Sequence, residues 1–212
     1  MTATLLRAFR SLSGLRFAAI SGLLAVLLLI GEPTGAQAQP LQFDNAYKAE
    51  LASESAALRA RIQQWPAPLQ DMNQQISAAL RANDPAQAQR IAEALSQREP
   101  GNADIKNFLG KLQSINGQQA AAVKLFDEAI TLAPDNRWFY VNKAGAQAEL
   151  RDLPNALATA QALTARYPQW SIGLNLQAAL LDGLDRIPEA LKVYDQAAVS
   201  YTHLTLPTSD LV

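Results

Sequence analysis

The sequence predicts an all-α fold, a stack of antiparallel helix pairs, on three observations. Apolar residues fall at helical spacing between regular breaks, one pattern recurs every 34 residues, and a column of alanines and a column of prolines keep that register. The stretch 103–136 shows the unit most fully. From Ala103 to Ile115, Ile105, Phe108, Leu109 and Leu112 make one helical face, which Asn116-Gly117 ends. A second helix begins at Gln118 or Gln119. It turns Ala122, Val123, Phe126, Ala129 and Ile130 inward and stops at Ala133-Pro134, where the proline ring excludes further helix. Gly110 and Ala122 let the two backbones approach closely, and Phe126 fills the space beside them.

Residues 1–38 predict a secretory signal. Arg7, Arg10 and Arg16 form a positive start, Phe17 to Ile30 is an apolar run short for a membrane span, and Ala36-Gln37-Ala38 supplies a small-x-small cleavage pattern that leaves Gln39 as the new N-terminus. The alternative is an uncleaved anchor, against which Glu32, Pro33 and Gly35 break the helix where a cleavage region needs extended chain. Residues 39–68 predict a single amphipathic capping helix carrying Tyr47, Leu51, Leu58 and Ile62, with Glu54 in the column that elsewhere holds alanine.

Residues 69–198 contain about four units, the last incomplete. At the period of the repeat, Ala122 aligns with Ala88, Ala156 and Ala190, and Pro134 with Pro66, Pro100 and Pro168. Gly110 aligns with Ile76, Ala144 and Ala178, Phe126 with Ala92, Ala160 and Tyr194, and Ala129 with Leu95, Leu163 and Ala197. Asp84 with Pro85 starts the second helix of the first unit, and Pro154 and Pro188 stand in matching positions. In residues 199–212 the periodicity is predicted to fail, and the proline due at Thr202 is absent. Read as TCT TAT ACA CAT CTG ACG CTG CCG ACG, Ser200 to Thr208 resemble a translation of the transposon-end adapter used to prepare sequencing libraries. A tail foreign to the natural gene is therefore expected, with a natural disordered C-terminus as the alternative.

Charge and composition narrow the function. With the first 38 residues set aside, acidic and basic residues nearly balance and are interspersed, which argues against a nucleic-acid surface. No cysteine is present, so disulfide, thiol and lipid-modified cysteine chemistry have no members. His203 is the lone histidine, so neither a Ser-His-Asp or Cys-His site nor a histidine metal site can be assembled. Asp127-Glu128 and Asp182 with Asp185 read as solvated surface, and Gly101, Gly110 and Gly117 are spaced wrongly for a phosphate loop. No enzyme, cofactor or metal is expected.

From about Leu69 onward these columns resemble the tetratricopeptide-repeat family, the 103–136 unit most closely. The first helices of the other units depart from the Leu109-Gly110 pair, having Gln75-Ile76, Lys143-Ala144 and Gln177-Ala178. The resemblance implies a right-handed α-solenoid whose first helices line a concave groove. Inward positions would be Gln70, Asn73 and Ser77, then Asp104, Asn107 and Lys111, then Trp138, Val141, Asn142, Gly145 and Glu149, then Ile172 and Asn175. From these, Asn73, Asn107, Lys111, Trp138, Val141, Asn142, Glu149, Ile172 and Asn175 are the expected partner-binding residues. Their amides could pair with a peptide backbone, with Trp138 either an apolar anchor or core. A ligand held by a carboxylate clamp is not expected, because Ile172 and Leu176 stand where the family places basic residues.

The expected function is an exported scaffold of the periplasm or cell envelope that holds a protein or peptide segment. It would touch a membrane only if the signal segment is uncleaved. The alternative is the N-terminal repeat region of a longer protein with an enzymatic or outer-membrane domain, such as a polysaccharide-export component.

Overall fold

The structure, a computed structural model, describes residues 45–205, with side chains placed for residues 48–198. The expected signal segment and the residues beyond Thr205 lie outside the described residues. Nine helices and no strand occur among the described residues: α1 (Asn45–Gln63), α2 (Ala67–Arg81), α3 (Pro85–Arg98), α4 (Ala103–Ile115), α5 (Gln119–Leu132), α6 (Arg137–Glu149), α7 (Leu153–Arg166), α8 (Ser171–Gly183) and α9 (Ile187–Thr205). They divide into two compact bodies that part between Pro134 and Asp135.

Several helix starts are fixed by short polar side chains or proline, which satisfy or remove the backbone N–H groups left open in a first turn, whereas α5 and α8 follow Gln118 and Trp170 with no side-chain cap. Asp84 accepts from the Gln87 N–H at 2.9 Å, Asn102 from Ile105 at 3.2 Å, Asn136 from Trp138 at 3.1 Å and Asp152 from Asn155 at 3.4 Å. Pro68, Pro85 and Pro154 occupy the first turns of α2, α3 and α7. Between the helices of each pair one residue enters the left-handed region: Asn83 at φ 57°, Gly117 at 76°, Arg151 at 62° and Asp185 at 59°. The next N–H then folds back five residues, Asp84 to Ala79, Gln118 to Gln113, Asp152 to Gln147 and Arg186 to Leu181, at 2.8–3.0 Å. The turn therefore repeats with the period of the sequence, on a glycine at 117, on an asparagine and an aspartate that enter this region more readily than most residues at 83 and 185, and on an arginine at 151.

The aligned columns are the core. Ala88, Ala122, Ala156 and Ala190 are all buried, as are Ile76, Gly110, Ala144 and Ala178 on the first helices. In the first body α2 to α5 close over Leu69, Ile76, Leu95, Ile105, Leu109, Leu112 and Phe126. A Cβ on Gly110 would stand 2.7 Å from Phe126 Cε1, so the glycine is what lets α4 accept the ring of α5. At the equivalent positions of α2 and α3 the sizes are reversed, with Ile76 facing the Ala92 column. The second body packs Leu157, Leu174, Leu180, Leu181 and Val193 around Ala144, Ala156, Ala178 and Ala190.

Helix α9 runs on to Thr205. Residues 199–205 contain neither glycine nor proline, and β-branched or aromatic residues cost a helix only about 0.7 kcal/mol or less each.

Candidate functional site

The first-helix positions 70, 73 and 77 of α2 and 104, 107 and 111 of α4 follow the 3, 4, 7 spacing that puts them on one side of each helix. Asn73, Asp104, Asn107 and Lys111 line one narrow pocket in the first body. Its remaining wall includes Leu58 and Ile62, both from α1. The helix expected as an end cap thus lies across the face expected to receive a partner.

Arg61 on α1 fixes this placement. Its Nε donates to Asp104 Oδ2 at 2.7 Å and its Nη2 to Asp104 Oδ1 at 2.9 Å, a two-pronged pairing, while Nη2 also donates to Glu54 Oε1 at 3.0 Å. These bonds, the one to Asp104 foremost, hold the guanidinium further toward its charged form. Lys111 lies under the same cover at 7% exposure. Desolvation pushes its ammonium down to about 8, opposed by the charges of Glu54 and Asp104. Asn107 is buried as well. Gln70 is spent on the connection, donating to the carbonyls of Gln63 and Trp65, and Ser77 donates back to the Asn73 carbonyl.

In the second body Trp138 sits at 6% exposure, edge-on to Trp170 with ring centroids 5.4 Å apart. The Arg137 guanidinium covers the other ring at 4.5 Å. Trp138 is therefore buried against Trp170 within the chain. Ile172 and Gly145 are buried too. Val141, Asn142 and Glu149 on α6 and Asn175 on α8 remain half-buried. A residue set missed by sequence reasoning is Glu54, Leu58, Arg61 and Ile62. Their spacing along one face of α1 was legible, but nothing local told that this face would lie on α4.

Solved structures with this arrangement include a crystal structure of MamA protein, which is 14% identical over 79% of this chain and 90% of its own, at a TM-score of 0.59. MamA 41-end from Desulfovibrio magneticus RS-1 is 18% identical over 64% of this chain and 76% of its own, at a TM-score of 0.56. The fold is the tetratricopeptide-repeat solenoid. At these identities the likeness speaks for the tetratricopeptide fold and no further. No protein-family profile matches the chain. Protein FlbA of Caulobacter vibrioides is 30% identical over 125 residues, which are 57% of this chain and 21% of FlbA, so the chain spans about a fifth of that relative. Among the described residues no group of histidine, cysteine, aspartate or glutamate is placed to hold a metal ion, and no helix is long and apolar enough to cross a membrane.

Proposed function

We propose that this chain is a non-enzymatic interaction scaffold, exported to the bacterial envelope, whose first-helix faces hold a protein or peptide segment. The observation that carries the reading is the residue at one position of the repeat: an amide on the first helices of the first body, Asn73 of α2 and Asn107 of α4, and in the second body Val141 of α6 and again an amide, Asn175 of α8. Side-chain amides offer both donor and acceptor to a peptide backbone, and a half-exposed apolar residue among them adds area without charge. The tetratricopeptide fold and the near balance of charge support a protein partner and give no support to nucleic acid.

The test is position-dependent photo-crosslinking in the native cell. Probes at Asn73 and Asn175 are expected to give defined protein adducts, whereas a probe at exposed Gln161, on the second-helix side of α7, gives none. Equal labelling from all three positions would refute a first-helix binding face. The export part is read by mass spectrometry of the envelope fraction, with an N-terminus at Gln39 expected and an intact N-terminus supporting the anchor.

A second reading is favoured by one observation, that FlbA extends far beyond the region this chain matches. Under it, the repeats belong to a longer protein with a further domain. Genomic sequence across the codons for residues 195–212 separates the two. A helical repeat resuming with a proline near position 202, followed by a long frame, favours the longer protein. An early stop favours the scaffold. A read that passes through the same codons removes the adapter interpretation of Ser200 to Thr208.

A further inference from the structure

Helix α1 differs from every other helix of the first body in how it is held. Helices α2 to α5 interlock through Ile76, Leu95, Gly110 and Phe126, all buried. Helix α1 contributes no fully buried side chain among residues 48–63. It is attached by Glu54, Leu58, Arg61 and Ile62, which share one helical side, while Ala52, Ser53, Ala56, Ala57 and Ala60 are exposed. Leu58 and Ile62 enter the pocket of Asn73, Asn107 and Lys111 and keep part of their surface in solvent. A two-pronged contact from Arg61 to Asp104 joins positions 43 residues apart. The occupied face is thus seen with an occupant in place, and the occupant shows what the face reads: a guanidinium fork for Asp104 and two aliphatic side chains at helical spacing.

We infer that the face of α2 and α4 is a helix-accepting groove held closed by α1, and that its partner inserts an amphipathic helix bearing an arginine and two aliphatic residues in place of Arg61, Leu58 and Ile62. The inference rests on the proposed reading of the first-helix faces as the binding surface and adds the partner's chemistry. Tethering through Gln64 and Trp65 gives α1 a high local concentration, so an outside helix competes at a disadvantage set by how firmly α1 is seated. Loosening α1 raises the fraction of chain able to accept the competitor, and its apparent affinity rises by the same factor.

The experiment uses the full chain and a fluorescent peptide with the sequence of residues 45–63, read by anisotropy. The Arg61→Glu chain is expected to bind this peptide roughly ten-fold or more tighter than wild type, because its own α1 is repelled by Asp104. Leu58→Ala acts in the same direction by removing an apolar contact. A peptide carrying Arg61→Glu loses binding to the Arg61→Glu chain. It regains binding to a chain carrying both Arg61→Glu and Asp104→Arg once that chain's α1 is loosened by Leu58→Ala. Amide exchange supplies a readout without substitution: α1 should exchange well ahead of α4 in the wild-type chain. Absence of peptide binding by both loosened chains overturns the inference, as does exchange of α1 and α4 at one common rate. If crosslinking at Asn175 persists in that case, the scaffold reading stands and only this one falls.

Discussion

Replacing Gly110 by alanine tests whether close approach of α4 and α5 is what makes the first body pack. The added Cβ would lie 2.7 Å from Phe126 Cε1, 2.9 Å from Cδ1 and 3.2 Å from Cζ, all inside the contact distance of about 3.5–4.0 Å for carbon pairs. Phe126 is 1% exposed, so its ring has no solvent to move into and the helices themselves must separate. Overpacking of this kind costs about 1–3 kcal/mol. The loss of glycine's freedom in the unfolded chain returns about 0.4–1 kcal/mol. The balance is a net destabilisation of roughly 1–2 kcal/mol. Gly183 provides the control, because a Cβ there meets only Leu153 Cδ1, at an ordinary 3.6 Å. Gly183→Ala should therefore be neutral or stabilising by up to about 1 kcal/mol. Urea unfolding followed by far-ultraviolet circular dichroism measures both, with an unchanged dependence on urea required for the comparison. Phe126→Leu in the Gly110→Ala background should recover part of the loss, giving a favourable coupling of about 0.5 kcal/mol or more. If Gly110→Ala is as stable as wild type, the steric account of this helix pair is wrong.

Four further outcomes concern a buried charge, two turns and a helix cap. Lys111, held near 8 against an ordinary 10.5, opposes folding by roughly 3 kcal/mol while it is charged. Between pH 8 and 10.5 the unfolded state binds the extra proton, so stability rises with pH across that window. Lys111→Met should accordingly stabilise the chain most at or below pH 7, with the gain shrinking from pH 8 and gone by about 10.5; parallel pH profiles for the two proteins would contradict this. Gly117 has open space around a prospective Cβ but sits at φ 76°, so Gly117→Ala should cost about 1 kcal/mol through backbone strain alone. Arg151→Gly should instead gain up to about 1 kcal/mol in thermal unfolding, more than Asn83→Gly, because asparagine tolerates the left-handed region. Asp84→Ala removes the acceptor for the Gln87 N–H and should cost about 0.5–2 kcal/mol, a loss that Asp84→Asn largely avoids.

What the sequence determined by itself was whatever depends on near neighbours along the chain. Helical spacing, the halt at Asn116-Gly117, the first-turn prolines and the alanine register are all set by residues within a few turns of each other, and the helices from Ala103 to Ile115 and Gln119 to Leu132 were legible for that reason. Gly110 beside Phe126 was legible too, because a short connection leaves antiparallel helices little choice of contact. The left-handed turn at Arg151 was not, since arginine does not signal that conformation, and at Asp185 the residue type is only a weak signal of it. Both positions take it because each helix pair closes with the same turn that glycine makes at 117. The run of α9 to Thr205 is continuous because residue types that merely weaken a helix do not end one. Burial of the candidate site was decided by tertiary structure alone. Arg61 meets Asp104 across 43 residues, Lys111 is desolvated beneath that contact, and Trp138 is covered by Trp170. An inward column names the side chains that share a face, but solvent access to them depends on which distant element lies across it, and that information is not local.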